Sequence, residues 1–162
     1  MVDILLLQTV SILVTSAGLL IAALYYILQI RHQTRIRQTD LLVRLCSTMG
    51  SKDWMEAWGK VCAYDMKTTN FEKVWTENRF VDYNMVVMFF EELGILVQMK
   101  LLDIDNVEKL LHGYVKLMWE RLKPLTMEVR EVLNDPRLGM EWEYLYNEMK
   151  KREQQQAGAK SG

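Results

Sequence analysis

Two adjacent carboxylates, Glu91 and Glu92, stand inside one of the most apolar stretches of the chain. Such surroundings favour the neutral form of a carboxyl group and raise its pKa, which suits acid–base or ligand chemistry. On a helix the two side chains point about 100° apart, so both cannot easily reach water if that helix is central. At least one then needs a buried partner. Arg121, Lys123 and Arg130, grouped around Pro124, are the nearest cations by topology. Two readings stay open: an ion pair that fixes helix register, or a ligand-binding or catalytic carboxylate.

No further constellation follows from residue type and spacing. His32 and His112 are the two histidines, and no His-Glu-x-x-His or Cys-x-x-Cys spacing occurs, so neither is expected to hold a metal. Asp103-Ile104-Asp105-Asn106 begins like a calcium loop, but Glu108 stands where the turn needs Gly and Tyr114 where it needs a carboxylate. There is no Gly-rich phosphate loop. Gly94 stands alone in a helical pattern, where it costs about 1 kcal/mol relative to Ala, so its expected role is the close approach of a neighbouring helix or a Trp. Cys46 and Cys62 read as reduced thiols, or as a regulatory pair if their helices pack side by side. A net charge of −1 gives no case for nucleic acid. No nucleophile with a matched His base can be assembled, so no cofactor and no enzymatic activity are expected.

The elements that must position these residues begin with an apolar run. From Ile4 to Ile30 there are 27 uncharged residues, fifteen of them Leu, Ile or Val. About 20 apolar residues cross a hydrocarbon core. Central Leu, Ile and Val each favour insertion by roughly 0.3–0.6 kcal/mol, so together they supply about 5–8 kcal/mol. A cleaved signal peptide fits poorly, because Asp3 replaces the usual basic flank and the run is too long. Arg31, Arg35, Arg37 and Arg44 follow the run and none precedes it. Positive flanks stay inside, which predicts a single-pass protein of the cell membrane, N-terminus outside and C-terminal domain cytoplasmic. Within the run, Gln8, Ser11, Thr15, Gly18, Ala22, Tyr25 and Gln29 are spaced 3, 4, 3, 4, 3, 4. That seam of small and polar residues suits packing on another membrane helix, most simply a second copy; the alternative is a chance scatter in a plain anchor.

Beyond the run, helix is predicted to continue to about Met49, with Gly50 as its C-cap. Ser51 should cap a helix over roughly Lys52–Met66, with Trp54, Trp58, Val61 and Cys62 on its apolar face. A short helix should cover about Phe71–Trp75, and a long one about Val81–Leu102. The long one could be a second span, but Glu91 and Glu92 each oppose insertion by roughly 2.5–3.5 kcal/mol, which points to the buried centre of a soluble bundle. Asp105, with Glu108 three residues on, should cap an amphipathic helix that Pro124 ends or kinks and that resumes through Val132. Asp135 and Pro136 should start the last helix, with Leu138, Trp142, Leu145 and Met149 on one face. Residues 150–162 lack apolar spacing and read as a disordered tail. The domains are then an anchor over 1–30, a helical bundle over 31–149 and that tail.

The stretch Phe89-Phe90-Glu91-Glu92-Leu93-Gly94-Ile95-Leu96-Val97, followed by Leu101-Leu102-Asp103, Trp119, Lys123-Pro124 and Arg130, resembles an uncharacterised prokaryotic family, domain of unknown function family 4760. The resemblance covers roughly residues 31–146. It implies an all-α protein, a membrane helix followed by a small helical domain, and carries no activity or site residues. The expected function is a membrane-anchored interaction or scaffold module, bound to the lipid bilayer, self-associating through its membrane helix and presenting a surface to a protein partner. The alternatives are a membrane-bound sensor or enzyme built on Glu91 or Glu92, and a small subunit of a membrane complex.

Overall fold

The computed structural model describes residues 4–160. Asp3, on the N-terminal flank of the apolar run, and residues 161–162 of the expected tail lie outside them. The fold is all-α, as the breaker-poor sequence predicts: α1 (Ile4–Met49), α2 (Lys52–Cys62), α3 (Phe71–Thr76), α4 (Phe80–Gln98), α5 (Ile104–Val132) and α6 (Met140–Lys160). The chain divides into two compact units, Met1–Leu41 and Leu42–Gly162. The sequence places a boundary after Ile30, where apolar residues give way to arginines. Tertiary packing begins later, with Leu45 the first buried side chain of the second unit.

Among the described residues, the first unit is the stretch of α1 from Ile4 to Leu41. One helix among the described residues is long and apolar enough to cross a membrane, and its apolar window has a mean hydropathy of 2.1 with none of it buried. Thr15, Thr34 and Thr39 each turn their hydroxyl back to the carbonyl four residues earlier, so these polar groups are satisfied within the helix.

The second unit is built around α4. Its apolarity runs all round the helix, and Tyr83, Val86, Val87, Phe89, Phe90, Leu93 and Val97 are buried against α2, α3 and α6. The amphipathic α5 adds Val115, Met118, Trp119 and Leu122 to the same core, and α6 adds Trp142, Leu145 and Met149. Trp142 is the keystone. Its indole stacks on Phe90 at 4.5 Å and meets Trp119 edge-on at 5.2 Å, and its Nε1–H donates to the Val115 carbonyl at 3.3 Å.

Three helices stop where the next residue but one turns left-handed. Asn78, Lys100 and Asn134 have φ of 55°, 58° and 49°. The following N–H closes back on the helix each time: Arg79 to Val74, Leu101 to Leu96 and Asp135 to Arg130. This shortens α4, which ends at Gln98 and not near Leu102 as the sequence predicts. The signal was hidden because Lys100 takes a conformation usually left to Gly or Asn. Likewise α2 ends at Cys62, short of Met66, because Arg121 draws the Cys62 and Tyr64 carbonyls to its guanidinium at 2.7 and 2.6 Å.

Other boundaries also differ from expectation. Ser51 caps α2 as expected, but the cap of α5 is Asp103, whose carboxylate accepts the Asp105 N–H at 2.9 Å. Asp105 and Glu108 instead bind Arg152, Glu108 at 2.9 Å. α5 does run to Val132, the end the sequence predicts, with Pro124 inside the helix and no break there. Asp135 and Pro136 do not open α6; they lie in a turn closed by Gly139, at φ 74° and with Thr126 too near for a side chain. Residues 150–160 are helix, not the expected disordered tail. Arg152 reaches Asp105 and Glu108, and Glu153 reaches Lys116 and His112 at 3.0 and 2.8 Å, so polar contacts hold what apolar spacing does not.

Candidate functional site

The expected partners of Glu91 and Glu92 are engaged elsewhere. Arg121 serves the end of α2, as above. Arg130 donates to Glu143 at 3.1 Å and, through Nε, to the Leu138 carbonyl at 2.5 Å, which ties α5 to the turn before α6. Lys123 lies 3.7 Å from the same Glu143. The predicted ion pairs of Glu91 or Glu92 with these three cations are therefore not formed. The reason is topological: α6 brings its own carboxylate, Glu143, to the cations, while Glu91 meets the start of α6.

Glu91 works as a cap supplied by another helix. Its Oε1 accepts the Trp142 N–H at 3.0 Å, one of the N–H groups that the first turn of α6 cannot satisfy internally. A carboxylate there also meets the positive end of the helix dipole. Half-burial nevertheless pushes the Glu91 carboxyl above its ordinary range, and the neighbouring Glu141 carboxylate adds to the rise. The Trp142 and Glu141 N–H groups and the more distant Arg130 pull the other way.

Gly94 lies one turn further along α4 and faces the same segment. A Cβ there would stand 2.6 Å from the Glu141 carbonyl carbon, closer than packed atoms come. The close approach expected of this lone glycine is thus real, and the neighbour is backbone. Glu91-x-x-Gly94 is a cradle in which the carboxylate caps α6 and the missing side chain lets it rest on α4.

Glu92 points elsewhere. It is exposed and forms no ion pair with another described residue. It lines a groove of about 950 Å³ between the end of α1, the start of α2 and the free face of α4. Met85, Met88, Phe89 and Ile95 from α4, with Trp54 from α2, supply its apolar wall. Asp53, Glu91 and Glu92 are its charged members, and no Lys, Arg or His lines it. The all-round apolarity of α4 predicts a fully enclosed helix and gives no hint of this groove. The spacing of Val81, Met85, Met88, Glu92 and Ile95 was the available sign.

The seam on α1 is exposed along its whole length: Gln8, Ser11, Thr15, Gly18, Ala22, Tyr25 and Gln29 all lack a tertiary partner surface. A Cβ on Gly18 would meet nothing within 4 Å. Both thiols, Cys46 and Cys62, are free and exposed. Among the described residues, no group of three His, Cys, Asp or Glu side chains could hold a metal ion.

A family described as "Domain of unknown function (DUF4760)" matches residues 12–149. The match begins inside the apolar helix and ends inside α6, so it takes in most of α1, all of α2 to α5 and the first half of α6. No curated protein and no solved structure matches the chain.

Proposed function

The chain belongs to the DUF4760 family, a domain of unknown function, and we propose that it is a membrane-tethered, non-catalytic interaction module. The observation that carries this reading is the condition of α1: none of its described side chains from Ile4 to Ile30 is buried. Apolar surface on that scale needs another solvent. A helix of 27 residues is about 40 Å long, enough to cross a hydrocarbon core of about 30 Å with tilt. The arginines after it favour a cytoplasmic second unit. The seam through Gly18 and Ala22 favours pairing with a second copy in the bilayer. Glu91, the best candidate for unusual chemistry, is committed to α6, which favours a binder over an enzyme.

Membrane fractionation of the full chain tests the anchor. It should stay with the membrane through an alkaline wash, and a reporter fused at the C-terminus should be active only inside the cell. Recovery of full-length protein in the soluble fraction would overturn the reading. For the seam, Gly18→Leu with Ala22→Leu should reduce self-association in a membrane reporter assay, whereas unchanged association would remove the second copy from the proposal.

A further inference from the structure

We propose that the groove along α4 docks a cationic amphipathic helix of a partner protein. The inference deepens the interaction reading and rests on it only in treating the module as a binder, not in its anchorage. Val81, Met85, Met88, Glu92 and Ile95 recur at spacings of 4, 3, 4, 3 along one face of α4. This is the 3.5-residue period by which one helix receives another. The face is unpartnered: Val81 is 62 %, Met88 54 % and Ile95 41 % exposed, in a helix whose other faces are sealed. From Val81 to Ile95 the face runs about 21 Å, the length of a helix of roughly four turns. Flexible thioethers such as Met85 and Met88 adapt to apolar knobs of varied shape.

Charge selects the occupant. The charged residues lining the groove are Asp53, Glu91 and Glu92, all acids. Neither Asp53 nor Glu92 is ion-paired with another described residue. A second copy placed face to face would set two such acidic groups against each other, because a two-fold interface pairs a patch with itself. Anionic lipid is repelled for the same reason. A helix with an apolar stripe flanked by Lys or Arg satisfies both the wall and the rim.

The test uses the full chain in phosphatidylcholine nanodiscs and a labelled peptide of about four helical turns, with Leu on one face and Lys on the other. Its counterpart carries Glu in place of Lys. Fluorescence anisotropy should show saturable binding of the Lys peptide, above that to empty nanodiscs and weakened by added salt. Glu92→Lys and Met88→Asn should each raise Kd about tenfold or more, while Glu131→Lys, which does not line the groove, should leave it within about twofold. Residues 88 and 92 are exposed, so both variants should keep the circular dichroism of the wild type. Absence of saturable binding, equal binding of the Glu peptide, or binding indifferent to both groove variants would each overturn the proposal. So would a self-association that the groove variants abolish, which would assign the groove to a second copy. Failure of anchorage in the fractionation test leaves this titration readable, and failure of the titration leaves the anchor untouched.

Discussion

Helices α1 and α4 are both rich in large apolar residues, yet they meet opposite fates. The described side chains of α1 through Ile30 are all exposed, while α4 buries eight residues at the centre of the second unit. Apolarity alone therefore says only that a helix leaves water. What separates the two is their polar punctuation. The α1 run has no charge for 27 residues, whereas α4 carries Asp82, Glu91 and Glu92, each of which would oppose a lipid environment. Their glycines differ in the same way: Gly18 faces open space and Gly94 faces the Glu141 backbone. One helix leaves its apolar surface open, the other meets α6 at one register.

Removing the partner of α4 gives the largest effect. Trp142→Ala deletes the ring between Phe90 and Trp119 and should cost the second unit about 3–5 kcal/mol. Urea unfolding of the full chain in detergent measures this through tryptophan fluorescence, since every Trp lies between residues 54 and 142. Leu20→Ala in α1 should leave the same transition within about 0.5 kcal/mol. Equal losses would mean that the two helices are not energetically distinct.

The glycines sharpen the contrast. Gly94→Ala forces α6 away from α4 and should cost about 2–3 kcal/mol, as overpacking against an unyielding neighbour does. Gly18→Ala, with nothing to displace, should lower stability nowhere, because Ala is the better helix former. A Gly94→Ala protein as stable as wild type would show that the close approach does not matter to the fold.

This contrast also marks what the sequence made legible. The uncharged run, the Ser51 cap, the all-α class and the special place of Gly94 follow from local rules that need no tertiary knowledge. The partner of Glu91 does not, because it is a backbone N–H fifty-one residues away and backbone leaves no trace in residue identity. The helical stretch after Lys150 was hidden for a related reason. It is held by Arg152 and Glu153 reaching α5, and charged residues without apolar spacing look the same whether paired or free. The end of α4 at Gln98 escaped because the left-handed residue that follows is Lys100, and Lys rarely takes that conformation. The groove was masked by the very apolarity of α4, which suggests enclosure on every face.

Glu91 supplies the next smaller effect. Glu91→Ala removes a cap and should cost about 1 kcal/mol, within the range for such losses. Glu91→Gln retains an oxygen for the Trp142 N–H and should recover most of that. If Gln is as damaging as Ala, the charge and not the hydrogen bond holds α6, and the cradle must be read as electrostatic.

The smallest effect is a pH dependence that separates those two contributions. Burial, joined by Glu141, raises the Glu91 carboxyl above its ordinary 4.5 in the folded chain. The folded state therefore binds this proton more tightly than the unfolded state does. Its contribution to stability is fully present below about pH 4.5 and is lost as pH rises through the raised folded value. Other carboxylates run the opposite way: hydrogen bonding to Lys116 lowers Glu153, whose contribution disappears as pH falls. Comparing wild type with Glu91→Gln at each pH cancels that background. The stability of the Gln variant relative to wild type should be least below about pH 4.5, grow as pH rises through the folded pKa, and then level off. A difference that shrinks with rising pH would mean that the ionised carboxylate is favoured at the head of α6, so that the dipole and N–H groups outweigh the loss of water. Glu91 would then be a charge that the head of α6 attracts, and the contrast with the uncharged α1 would rest on attraction instead of tolerance.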